Sequence, residues 1–109
     1  MSNGGERELA DVFAALGDAT RLALVMHLLA VGALSATNLA EGQSISRQAI
    51  VKHLQVLEAA ALVTHQRHGR EVLYTLDASR IAEARAFLDA ISAGWDRALG
   101  RLQSLVEPT

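Results

Sequence analysis

The chain has no cysteine in its 109 residues. Disulfides and thiolate metal sites are therefore excluded. Aromatic residues are scarce: one Trp, one Tyr and two Phe. No apolar run reaches the ~18 residues that would span a bilayer. Gly32 interrupts the stretch Val31–Leu34, and His27 interrupts the stretch that starts at Leu22. Met1 to Glu6 lacks both the basic and the apolar segment of a secretory signal. The expected location is cytoplasmic, with no membrane partner. No Ser-His-Asp arrangement, Gly-rich phosphate loop or paired carboxylate cluster is present, so no catalytic role is expected and no cofactor is implied.

Half the residues are apolar and a fifth are charged, a globular composition. At this length one domain is expected. So short a chain buries only about two-thirds of its unfolded surface, and a partner subunit would bury more. The net charge of −2 is unevenly spread. Between Gln43 and Leu76 stand Arg47, Lys52, Arg67 and Arg70 against only Glu58 and Glu71, with His53, His65 and His68 among them. The acidic excess lies on either side. A positive middle is the footprint expected of nucleic-acid binding.

Residues 1–5 read as a flexible leader and residues 6–106 as the folded domain. Leu9, Val12, Phe13 and Leu16 recur at helical spacing up to Gly17. Asp18 is a helix N-cap candidate, and Leu22, Val25, Leu28 and Leu29 predict the buried face of a second helix. A short helix over Ala36–Glu41, with Leu39 and Ala40 inward, leads through Gly42-Gln43 to another over about 46–60. Ser46 is its cap, and Ile50, Leu54 and Leu57 its buried stripe. The period then falls to two: Val72, Tyr74 and Leu76 predict a strand whose partner begins at Leu62, with the tip at His68-Gly69-Arg70-Glu71 and the hairpin over about 62–77. A last helix spans about 78–105. Its apolar residues Ile81, Ala84, Leu88, Ile91, Trp95, Ala98, Leu102 and Leu105 make one long seam.

Short helix, turn, second helix and hairpin, in that order, spell a winged helix-turn-helix: a mainly α domain with a small β-hairpin, in the α+β class. The second helix of such a motif enters the major groove of double-stranded DNA. Arg47 and Gln48 lie in its first turn, where Arg can bond guanine and Gln adenine bidentately, so Arg47 is expected to read a base. Lys52 follows on the same face, His53 and Gln55 extend the polar side, and Ser46 is placed to donate to phosphate. Arg67, His68 and Arg70 cluster at the wing for the backbone or the minor groove. A lone Arg or Lys on a helix is ordinarily solvated surface. Here the motif order and the wing cluster favour DNA. A second reading, a winged-helix protein-interaction module without DNA readout, is motivated by the modest size of the basic patch.

Ser46 to Val63 resembles the recognition-helix signature of ArsR-family regulators. Phe13 to Leu22 is similar to that family's second motif, and Arg67 to Leu76 to its wing. The three together cover most of residues 9–77. The resemblance implies a homodimeric repressor on an inverted-repeat operator, joined through the first and last helices. Leu9, Phe13, Leu88, Ile91, Trp95 and Leu102 are the residues expected at that interface. Two positions depart from the pattern: Val51 stands where Ser or Thr is usual, and Ala61 where Gly is usual. The Arg-Gln-Ala and Lys-His-Leu triplets, with Trp95-Asp96, resemble a metal-independent branch. Relatives that sense metals place cysteines on the short helix or Asp and His pairs on the last one. Here Ala36–Glu41 has no thiolate, and the last helix offers Asp89 and Asp96 with no histidine. No metal site is expected. Gly94 beside Trp95, in a seam poor in aromatics, leaves room for a small-molecule effector.

Overall fold

The computed structural model describes residues 3–106. In chain order these form α1 (Asn3–Leu16), α2 (Ala19–Val31), β1 (Leu34–Ser35), α3 (Ala36–Ala40), α4 (Arg47–Ala59), β2 (Val63–His68), β3 (Glu71–Leu76) and α5 (Ala78–Val106). Of the expected leader, residues 1 and 2 lie outside the described residues, and α1 already begins at Asn3.

One apolar cluster holds the helices together. Val12 and Ala15 of α1, Leu24, Val25 and Leu28 of α2, Leu39 of α3 and Ile50, Leu54 and Leu57 of α4 all bury in it. Leu62 and Val63 close it beneath the sheet, and Ala84 adds a single buried residue of α5. On α2 the buried stripe is rotated from the one expected. Leu24 packs inward while Leu22 and Leu29 are exposed. Apolar residues run almost all round this helix, so their spacing could not decide which face turns inward.

The helix ends are capped locally. Asp18 accepts the backbone N–H of Arg21 at the start of α2, and Gly32 ends that helix at φ 105°. Ser35 caps α3 and Ser46 caps α4. Asp77 accepts from the backbone N–H groups of Ser79 and Arg80 at the start of α5. The sheet has the order β1-β3-β2 and is antiparallel throughout. In the wing, His68 pairs with Glu71. The two-residue loop Gly69-Arg70 has a positive φ only at Gly69, as a type II′ turn requires. β1 was not expected. Leu34 and Ser35 pair with Tyr74 and Leu73, a contact too short to leave a period in the sequence.

After α4 the chain turns sharply. The Ala61 N–H donates to the Glu58 carbonyl at 2.9 Å, and the Leu62 N–H to the Leu57 carbonyl at 3.0 Å. These are the paired bonds of a Schellman motif, whose left-handed position is normally glycine. Ala61 takes it at φ 61°. The tight turn into the wing therefore survives the departure from glycine, with the strain of a Cβ in the left-handed region.

α5 differs from the rest. At 29 residues it is about 43 Å long, and past Ala84 none of its described side chains is buried. The radius of gyration is 18.5 Å, well above the ~13 Å of a compact 100-residue domain, because this helix projects from the body. No single described helix is long and apolar enough to cross a membrane.

The strain at Ala61 gives the first test. Ala61→Gly is expected to raise stability by up to about 1 kcal/mol, since relief of the left-handed strain exceeds the added freedom of the unfolded chain. Urea unfolding checks this. A lower midpoint for the glycine variant would contradict the strained turn.

Candidate nucleic-acid interface

α4 is divided between two tasks. Ile50, Leu54 and Leu57 point into the core. At about 100° per residue, Gln48, Lys52 and Gln55 fall within about 60° of one another on the opposite side, and all three are exposed. Burial of one stripe thus fixes which polar groups face outward. Val51, on the edge of this face, is half-buried.

The flanks of the helix are tied to its neighbours. Arg47 lies about 100° round from Gln48, and its Nε donates to Thr37 Oγ1 of α3 at 3.1 Å. His53 lies on the other flank, where Arg21 NH1 approaches its Nδ1 at 3.3 Å and Asp18 Oδ2 stands 3.9 Å away. The guanidinium has only donors, so the His53 nitrogen facing it accepts when the imidazole is neutral, and faces the Asp18 carboxylate as a cation when it is protonated. His53 was expected on the polar outer side. The structure instead sets it half-buried at the junction of α2 and α4, because a helical step of 100° from Lys52 carries it away from the outer face. The same Arg21 donates through Nε to the Ala15 carbonyl at 2.6 Å. Arg21 thereby satisfies a carbonyl left open at the end of α1 while holding α4.

The wing carries Arg67, His68 and Arg70 at its exposed tip. Arg67 Nε donates to the Gly69 carbonyl at 3.3 Å. The base of the wing is tied to α4 by His65 and Glu58, with Nδ1 and Oε1 2.8 Å apart, and His65 packs on Tyr74 at a ring distance of 5.7 Å. Neither this tie nor those at Thr37 and His53 was legible in the sequence, because each joins residues with no periodic relation.

Among the described residues, carboxylates pair with Arg80, Arg85, His53 and His65. None lies within ion-pair distance of Arg47, Lys52, Arg67 or Arg70. These cations keep their full field for an anion outside the molecule. Among the same residues no three His, Asp or Glu side chains converge as a metal ion would need. Of the residues expected at a subunit interface, Leu88, Ile91, Trp95 and Leu102 are exposed along α5. Leu9 and Phe13 are half-buried on α1, beside the Phe13–Phe87 ring pair at 5.8 Å.

A short helix, a turn, a helix with a free polar face and a basic hairpin, mounted on one core, define a winged helix-turn-helix regulator. Comparison with known proteins agrees. A sequence family described as a helix-turn-helix domain matches residues 16–66. A helix-turn-helix transcriptional regulator of Mycobacterium tuberculosis is 39% identical over 93 residues, covering 85% of this chain and 83% of that protein. The transcriptional repressor SdpR of Bacillus subtilis is 31% identical over 74 residues, 68% of this chain and 81% of its own length. An ArsR-like transcriptional regulator from a Rhodococcus species superposes with a TM-score of 0.82 at 39% identity, over 97% of this chain and 99% of that one. The homodimeric winged helix-turn-helix DNA-binding domain of a possible ArsR-family regulator from Mycobacterium bovis shares the fold at TM-score 0.67 and 23% identity, over 84% of each chain. The chain belongs to the ArsR-like family of transcriptional regulators that bind DNA.

The Arg21 junction generates a pH test through Asp18. The backbone N–H of Arg21, followed by the charges of Arg21 and His53, holds the Asp18 carboxyl below its ordinary value of 3.8 against the opposing effect of burial. A lowered folded value means the carboxylate stabilises the fold above the unfolded value, and that its contribution fades as pH falls through the folded one. Thermal unfolding followed below about pH 4 is expected to show a shallower acid slope for Asp18→Ala than for the wild type. Equal slopes would contradict the assignment.

Proposed function

We propose that this chain is a homodimeric repressor that reads an inverted-repeat operator, with α4 of each protomer in the major groove and the wing on the flanking backbone or minor groove. The observation that carries this reading is the free face of Gln48, Lys52 and Gln55, opposite a fully buried stripe and next to unpaired cations. Gln48 and Lys52 are of the types that bond base edges, Gln preferring adenine and Lys guanine. Ser46 and the wing residues Arg67, His68 and Arg70 supply backbone or minor-groove contacts that set register.

The dimer rests on α5. Leu88, Ile91, Trp95, Leu99 and Leu102 are exposed at helical spacing, with Trp95 63% accessible. A stripe of this size without cover marks an interface. The seam continues from Ile81 and Ala84, which pack on the protomer's own body, so a second copy would extend an existing core across a two-fold axis. The homodimeric Mycobacterium bovis domain supports the same arrangement, and the name of SdpR, a transcriptional repressor, supports the repressor role. With no cysteine in the chain, we place it in the metal-independent branch of the family, acting inside the cell. A small-molecule effector beside Gly94 and Trp95 would act through this seam.

The reading makes two linked demands. Binding to duplex DNA must weaken steeply as salt rises, and the dimer must be needed for it. Ile91→Asp is expected to yield a folded monomer by sedimentation, with Trp95 emission shifted to the red and affinity for a duplex recovered from random DNA reduced at least a hundredfold. A variant that stays dimeric, or a monomer that binds as tightly as the wild type, would contradict the arrangement.

A further inference from the structure

Between α3 and the wing lies a cleft of about 450 Å³, lined by Ser35, Thr37, Asn38, Arg47, Arg70 and Glu71 among others. We propose that this cleft seats a single backbone phosphate of the bound DNA strand, and that Arg47 is a phosphate clamp that does not read a base. The proposal rests on the DNA-binding reading above and reassigns the residue that its position in the first turn of α4 would make a base reader.

Three observations carry it. First, Arg47 points away from the outer face of α4. It stands about 100° from Gln48, and Nε is committed to Thr37 Oγ1 at 3.1 Å. That bond folds the side chain back toward α3 and leaves the terminal nitrogens as free donors in the cleft. Second, Arg70 enters the same cleft from the wing, so two guanidinium groups approach it from separate elements. Neither has a carboxylate within ion-pair distance among the described residues. Glu71 also lines the cleft, and two cations against one carboxylate leave a net positive charge. Third, the Thr37 hydroxyl and the Asn38 side-chain amide, both donors on α3, sit on the wall facing the wing, while the Ser35 hydroxyl is spent on Asn38 Oδ1 at 2.8 Å and orients that amide. Donors without base-shaped geometry around net positive charge suit a phosphodiester oxygen. A base edge would need Arg47 extended along the outer face, which costs the bond to Thr37.

A phosphate contact and a base contact leave different signatures. Two probes separate them: a duplex recovered by selection from random DNA, and a duplex of random sequence. Arg47→Ala is expected to weaken binding to both by a similar factor, about tenfold per protomer at roughly 0.1 M salt, and to lower the slope of log K against log salt by about one per protomer. Thr37→Val is expected to weaken both probes to a smaller, equal extent without changing the melting temperature. Arg47→Lys should keep the salt slope. Gln48→Ala, by contrast, should weaken only the selected duplex. The clamp is overturned if Arg47→Ala leaves random-sequence binding and the salt slope untouched while weakening the selected duplex. That result would leave the DNA-binding reading intact. Failure of the wild type to bind either duplex at low salt would overturn both.

Discussion

The burial of Ile50, Leu54 and Leu57 is the contact on which the rest of the molecule turns. It joins α4 to α1, α2 and α3, and it decides by helical geometry which residues of α4 remain outside. A core stripe three residues deep is ordinary in a small domain. Its consequence here is functional, because the same rotation that hides leucine presents Gln48, Lys52 and Gln55. Stability and recognition are therefore set by one angle. A substitution that re-seats the stripe would also re-aim the polar face.

Polar ties then fix what packing leaves free. Arg21 reaches from α2 to the last turn of α1 and to His53 on α4. Thr37 holds Arg47 on one flank, and Glu58 meets His65 where α4 gives way to the wing. These contacts are partly or fully exposed, and each is modest in energy. Their value is directional. They stop α4 from rolling and the hairpin from swinging, so that two basic elements face one side together. Among the described residues the cations of α4 and the wing have no carboxylate partner, whereas Arg80 and Arg85 of α5 are matched by Glu8, Glu83 and Asp89.

Much of this was legible in the chain. Ser46 with Ile50, Leu54 and Leu57 marks α4. The switch to a period of two at Val72 marks the wing, and Gly69 marks its tip. What escaped has a common physical cause. β1 is two residues long and exists only because Tyr74 and Leu73 lie beside it. The buried face of α2 was misplaced by Leu22 and Leu29, since a helix apolar on all sides has no amphipathic signal. His53 and Arg47 were read as members of the outer face from their polarity, yet the wheel angle and a partner on another helix turn both aside. Residue type suggests what a side chain can bond, and tertiary contact decides what it does bond. Ala61 is the reverse case, a departure from the usual glycine across which the backbone bonds preserve the turn with strain.

α5 leaves the largest demand unanswered within one protomer, since its projecting half exposes apolar side chains from Leu88 to Val106. If two such helices pair, the two copies of α4 must present themselves to half-sites about a helical turn of DNA, or a multiple of it, apart, as helix-turn-helix dimers do. Recovery of bound sites from a random duplex pool at a stated salt concentration tests that claim most directly. A paired α5 requires an enriched two-fold symmetric sequence whose half-site centres lie about 10 base pairs, or a small multiple of that, apart. Enrichment of no sequence, or of a single unrepeated site, would contradict it.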